Sequence, residues 1–249
     1  MFSKPIAFAA ALFLGLTGPL SAQSKDYKEV EVKNGATITG RVAFSGEAPR
    51  IMFPITKNPE VCCAEGEKEK LSPRLVVGKD GGVKNAVVFL TEVSEGKPFP
   101  VAKPALDQAK CVFEPHILLA QKGQKVSIRN SDMVLHNTHG FLRSNDAFNL
   151  AFPAKGEAVD VPMRRDGVIS LKCDAGHSWM SAYIFVITHP YYAITDDDGR
   201  FKLEGYTSPN HMVRSISGAA LMGIGGAMAY GCSIGQGLTG LSTLGMPSF

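Results

Sequence analysis

Between Lys28 and Tyr206 the apolar positions come in short runs or strict alternation, and each run is closed by Gly, Pro, Asn or Asp. ATITGRVAFSG alternates, placing Ile38, Val42 and Phe44 on one face of a strand before a turn at SGEAP. RLVVG and NAVVFLT are β-branched runs separated by KDGGVKN, whose Asp80-Gly81 pair predicts a hairpin connection. HILLA, KVSIRN, AVDVPM, VISLKC, AYIFVIT and YYAIT follow, and TDDDGRFKL adds an acidic turn and another strand. No segment of this region carries a helical period. The pattern predicts a mainly β protein. The Pro-rich stretch FPVAKPALDQAK, with poor strand character, divides it into a small β domain (23–100) and a β-sandwich (101–190).

The two ends break the pattern. Lys4 followed by PIAFAAALFLGLTGPL and the small residues Ser21 and Ala22 reads as a secretory signal peptide over 1–22. After Arg214 no charged residue occurs up to Phe249, and 207–249 reads as an apolar, Gly-rich helical membrane segment, with 213–245 as the anchor. Ala219, Gly223, Ala227, Gly231 and Gly235 recur at every fourth position, a small-residue stripe that lets another helix approach closely in lipid. The expected location is therefore the periplasm, anchored at the inner membrane.

Charge adds little. With 26 Lys+Arg against 23 Asp+Glu, and no basic run interleaved with aromatics, nothing points to nucleic acid. No Gly-x-Ser-x-Gly elbow or phosphate-binding glycine loop is present, so no enzyme class is indicated. Asp196, Asp197 and Asp198 read as a solvated hairpin turn in preference to a calcium site. Export makes disulfides available, and five cysteines leave at least one outside an intramolecular bridge. The expected bridge joins Cys111 to Cys62 or Cys63. The alternative is that the vicinal pair binds Cu(I), which soft thiolates favour.

The chemistry concentrates in CDAGHSWM, where Cys173, His177 and Met180 fall within eight residues. VISLKC ends at Cys173 and the next strand begins after Met180, so all three occupy one strand-to-strand loop. SDMVLHNTHGF, read as the loop leaving KVSIRN, brings His136 from upstream. One thiolate, two imidazoles and a thioether make the donor set of a mononuclear copper site, in which a weak axial Met tunes the potential. Trp179 is expected to pack over it. His139 and His116 are further candidates, read first as supporting residues. Zinc is the runner-up metal, but Met is a poor zinc ligand.

CVFEPHILLAQKGQKVSIRNSDMVLHNTHGF, FNLAFP and KCDAGHSWMSAYIFVITHPYYAITDDDGRFKL resemble the exported cupredoxin-like proteins, often labelled methylamine-utilisation or plastocyanin-like, over about 36–205. The resemblance implies a Greek-key β-sandwich with His136, Cys173, His177 and Met180 as copper ligands. That family has a Cys–His gap one residue shorter, followed by Pro-Trp-Met; here Gly176 is extra and Ser178 replaces the proline. The Cys–His–Met spacing also looks like half of the dinuclear copper loop of cytochrome oxidase subunit II. Ile169 stands where the second cysteine of that loop would fall, which disfavours two coppers. YYAITDDDGRFKLEGY looks like the start of a carboxypeptidase-regulatory-like β segment (191–206). From Thr207 the tail resembles the C-terminal part of the YeeE/YedE sulfur-transport membrane proteins. That likeness makes Cys232 the thiol of a transport path, with Gly231, Gly235 and Gln236 around it.

The leading expectation is an electron-transfer copper protein of the bacterial cell envelope, working with a redox partner such as a cytochrome or dehydrogenase. The competing expectations are a copper-binding or delivery module, a fragment of a sulfur-compound membrane transporter, and a metal-free, disulfide-bonded β adhesion domain.

Overall fold

The computed structural model describes residues 27–206 apart from 65, 66 and 92. The signal-peptide and membrane-segment expectations, and Cys232, lie outside these residues. The described chain is nearly all β, with one short helix. Among the described residues no helix is long and apolar enough to cross a membrane.

The first strands are β1 (Lys28–Glu29), β2 (Ala36–Arg41) and β3 (Met52–Pro54). Helix α1 (Pro59–Cys62) follows, then β4 (Glu69–Leu71), β5 (Val76–Val77), β6 (Val83–Lys84), β7 (Val87–Phe89) and β8 (Glu95–Gly96). They form two-stranded ribbons, β3 with β4 and β5 with β6 antiparallel, and β1 with β8 parallel. The KDGGVKN turn closes β5 onto β6, pairing Val77 with Val83, and not onto NAVVFLT as the sequence pattern predicts. The run after Asn85 is thereby freed for a partner from the far end of the chain.

The sandwich comprises β9 (Ala105–Ala109), β10 (Val112–Glu114), β11 (Ile117–Gln121), β12 (Lys125–Asn130), β13 (His136–Leu142), β14 (Asn145–Phe152), β15 (Val159–Pro162), β16 (Gly167–Lys172) and β17 (Ser181–Ile187). One sheet has the order β10-β9-β12-β15, the other β11-β17-β16-β13-β14. Period-two alternation supplies the core between them. Leu106, Val126, Ile128 and Val161 come from the first sheet, and Leu118, Ala120, Ile169, Leu171, Ile184 and Val186 from the second. ALDQA, placed in the divider by its sequence, is the strand β9. Its inward positions are Leu106 and Gln108; the Gln108 amide nitrogen donates to the Arg129 carbonyl at 3.3 Å, and a polar residue at a core position hides the alternation from a hydropathy reading. His136 opens strand β13 and is not part of a loop.

The last strands, β18 (Tyr192–Ile194) and β19 (Arg200–Tyr206), pair antiparallel with β7 and β2. The 191–206 segment thus completes the sheet pairing begun before residue 100, and the sandwich is carried as an insertion between β7 and β18.

A further covalent tie joins the two. Cys111 is bonded to Cys62, 49 residues away, while Cys63 and Cys173 are free. Cys111 lies in the two-residue turn of the β9–β10 hairpin, where Lys110 and Cys111 both have positive φ, at 51° and 55°. That backbone matches the twist of paired strands but is costly for residues with a Cβ. Closing so long a loop restricts the unfolded chain most. Replacing both Cys62 and Cys111 by Ala is expected to lower the unfolding free energy by about 2–4 kcal/mol in urea titrations.

Candidate metal centre

The donor cluster forms where β13 begins, β16 ends and the connection to β17 turns. His136 is the first residue of β13, Cys173 follows β16, and His177 lies in the connection, whose turn is closed by the Met180 N–H donating to the His177 carbonyl at 3.0 Å. His136 and His177 are fully buried, and Cys173 and Met180 nearly so. The Nδ1 atoms of His177 and His136 lie 3.7 and 4.0 Å from the Cys173 sulfur, and the two rings are 4.6 Å apart. Three donors about 2.0–2.3 Å from one ion in a trigonal plane would stand roughly 3.7 Å from each other, so the spacing fits one metal.

The outer nitrogens fix the tautomers. Nε2 of His136 donates to Asp132 Oδ2 at 2.8 Å, and Nε2 of His177 donates to Asn58 Oδ1 at 3.1 Å. Both Nδ1 lone pairs are left facing the sulfur. Tying the far ring nitrogen to an acceptor is how protein ligands orient an imidazole and raise its basicity. The Cys173 sulfur receives the backbone N–H of Asn137 at 3.3 Å, a contact suited to a thiolate. The Asn137 side chain accepts the Asp174 N–H at 3.1 Å and donates to the Leu150 carbonyl, clamping β13 to the start of the metal loop.

Asp132 is held in turn. Its N–H donates to Asn130 Oδ1, while the Asn130 amide nitrogen donates to the carbonyls of Val134 and Phe152. Its carboxylate accepts the N–H groups of Lys110 at 2.7 Å and Cys111 at 2.8 Å. Trp179 packs its ring 5.4 Å from that of His177 and donates Nε1–H to the Cys111 carbonyl. From the first unit, Lys57 donates to the Ala175 carbonyl, and its stem passes so near Gly176 that a Cβ there would stand 3.0 Å from Cδ. Gly176 also has φ +93°, which explains why the extra residue of this loop is glycine.

The other candidates fall outside the cluster. His139 is three residues along β13 from His136, on the opposite face, between the carboxylates of Asp174 and Asp146, with its ring over Phe141. Its hydrogen bond is the first cause, and Lys172 a lesser one, that holds Asp174 below the usual carboxylate range. His116 donates Nδ1–H to the Ser181 carbonyl at 2.8 Å and is edge-on to Tyr183. Asp132, Asn58 and Asn137 were not singled out by the sequence. The Asn-Ser-Asp punctuation after KVSIRN marks Asp132 as a turn residue, and Asn58-Pro59 marks a helix start. Nothing local shows that either one holds a histidine.

Residues 192–249 match the family model described as sulphur transport, a match that spans less than half the chain. A comparison with curated proteins gives no match. Among solved structures the chain is similar to an oxidised point mutant of amicyanin, at 25% identity over 35% of this chain and 86% of that one, TM-score 0.30. It is also similar to a purple cupredoxin from Nitrosopumilus maritimus, at 16% identity over 34% of this chain and all of that one, TM-score 0.28. A third is a copper-containing nitrite reductase from Thermus scotoductus, at 18% identity over 36% of this chain, TM-score 0.30; the chain spans about a quarter of that enzyme's length. Scores of this size leave the functional reading to the donor geometry.

Two outcomes follow from the outer contacts. Asp132→Ala would free the His136 ring and strand two turn N–H groups. Metal affinity, read by chelator competition, is expected to fall about 10–100-fold. Burial first, then the neighbouring His136 and Lys57, pushes the His177 pKa down to about 4. The unfolded chain takes that proton near pH 6.5, so it binds more protons than the fold between pH 6.5 and 4, and stability falls as pH falls through that window. Burial, the leading cause, also lowers His116 and His189. Urea unfolding of the metal-free protein should show a loss on the order of 1–3 kcal/mol from His177 alone between pH 7 and pH 4.

Proposed function

We propose that the 101–190 sandwich is a mononuclear copper module that carries single electrons in the bacterial cell envelope. The observation that carries the reading is the convergence of Cys173 Sγ with the Nδ1 atoms of His136 and His177, each ring tied at Nε2 to an acceptor. Copper bound there would supply one-electron exchange between its two oxidation states. His136, Cys173 and His177 would hold it, and Met180 would add the weak thioether contact.

Burial supports a carrier in preference to a catalyst. Both imidazoles are fully covered, so a substrate would have to displace packed side chains to reach a metal held between them. The fixed tautomers and the clamp from Asn137 hold the donors in one arrangement, so little of the protein must move when charge changes. The donor set also favours copper over zinc, since the thioether of Met180, three residues past His177 in the same connection, would give zinc little. The redox partner in this reading is a cytochrome or a dehydrogenase of the same compartment. Copper delivery is the competing use of the same donors; slow metal exchange with rapid electron exchange separates the two.

The sulphur-transport match supports a second reading, a membrane component for sulfur compounds in which Cys232 serves the path and the sandwich is attached. Its first residues, 192–206, fold as β18 and β19 with the N-terminal strands.

The test is Cu(II) titration of the full chain beside Cys173→Ser, followed by optical and EPR spectra. An intense thiolate-to-copper band is expected, saturating at about one equivalent and absent in the variant. No band, or the same spectrum in the variant, overturns the copper reading. Transport that requires Cys232 and tolerates Cys173→Ser would favour the second.

A further inference from the structure

The Cys62–Cys111 bridge does more than link two parts of the chain, because of where its sulfurs lie. The donor atoms of Cys62, Cys111 and His177 are all within 4.8 Å of one another, as are those of His136, Cys173 and His177. His177 belongs to both sets. A disulfide at this place is one imidazole away from the free thiol of Cys173. While the S–S bond is intact its sulfurs are poor ligands. Once it is opened, two thiolates and an imidazole face one another in a buried pocket, and that is a donor set for a soft, low-coordinate ion.

We propose that Cys62, Cys111 and His177 form a second metal site, closed by the disulfide and opened by reduction, that takes up Cu(I) and lies next to the primary centre. The inference rests on the copper reading above and deepens it, by assigning the route by which the metal enters. The S–S bond takes two electrons and two protons from a dithiol protein, which leaves as its own disulfide. Cys62 and Cys111 become thiols, and Cu(I) displaces their protons on binding.

Three features of the surroundings fit. Cys62 ends the four-residue helix α1, a short surface layer in which Pro59 and Glu60, and Lys57 just before it, are exposed while Cys62 is buried. Both sulfurs belong to the buried core, and Val61 of the same layer packs against it, so reaching them and His177 means lifting this layer off the core. The layer is pinned by the Lys57 bond to Ala175 and the Asn58 bond to His177, and both end on the metal loop itself. Lys70 donates to the carbonyl of Lys110 at 2.8 Å, which places one cationic side chain at the Cys111 turn, where it offsets the Asp132 carboxylate that lies beside the Cys111 sulfur. Because His177 is common to both sets, an ion held by the two outer thiolates is already beside Cys173.

The test uses the full chain with Cys63→Ser, Cys173→Ser and Cys232→Ser together, so that the bridge supplies the only thiols and the primary thiolate is gone. Cu(I) is titrated against bicinchoninate before and after phosphine reduction and removal of the phosphine. Negligible uptake is expected in the oxidised form and about one equivalent after reduction, and adding His177→Gln should weaken the reduced site at least about tenfold. Uptake by the oxidised form, none by the reduced form, or reduced binding that ignores His177→Gln each overturns the proposal. The last outcome would mean a flexible dithiol and not a built site. The thiolate-to-copper band of the unaltered chain is read separately, so this site can fail while the primary copper reading stands.

Discussion

One carboxylate closes a ring of contacts on which the metal centre depends. Asp132 accepts N–H groups from Lys110, Cys111 and the His136 ring. From Cys111 the ring runs through the disulfide to Cys62, whose N–H donates to the Asn58 carbonyl at 2.9 Å. Asn58 accepts from His177, whose other nitrogen faces Cys173, and Cys173 faces His136 again. Each member is fixed by the next. A buried carboxylate without donors would be expensive, and a buried imidazole without an acceptor would turn. Arranged in a ring, each group satisfies the other's requirement.

The ring also explains how a polar cluster survives inside an apolar sandwich. Asn130, Asp132, His136 and His177 are buried, and each has a named partner. The left-handed backbone at Lys110 and Cys111 is held by two hydrogen bonds to Asp132 and one covalent bond to Cys62. Local backbone cost is tolerated where several independent contacts fix the conformation.

What was legible in the sequence was what is local. Cys173, His177 and Met180 share one loop, so their spacing carries their relationship. The strands KVSIRN and HILLA show as alternating or apolar runs, and both are found as read. The misreadings have physical causes. Gln108 occupies a core position as a polar residue, which disguised β9. His139 read as a possible companion to His136, yet in a strand three residues is an odd step and puts the two on opposite faces. Asn58 reaches His177 across 119 residues, and no local pattern encodes that distance.

The pairing of β2 with β19 has a mechanical consequence. Ala36 lies opposite Tyr206, and Arg41 opposite Arg200, so the described chain enters and leaves this ribbon at the same end. A pull between residues 36 and 206 meets the ribbon as an unzipping load, one rung at a time. The sandwich, inserted beyond the far end of that ribbon, lies outside the line of force until the rungs have parted. Tension along the chain therefore spends itself on β2 and β19 before it can distort the spacing of the donor atoms.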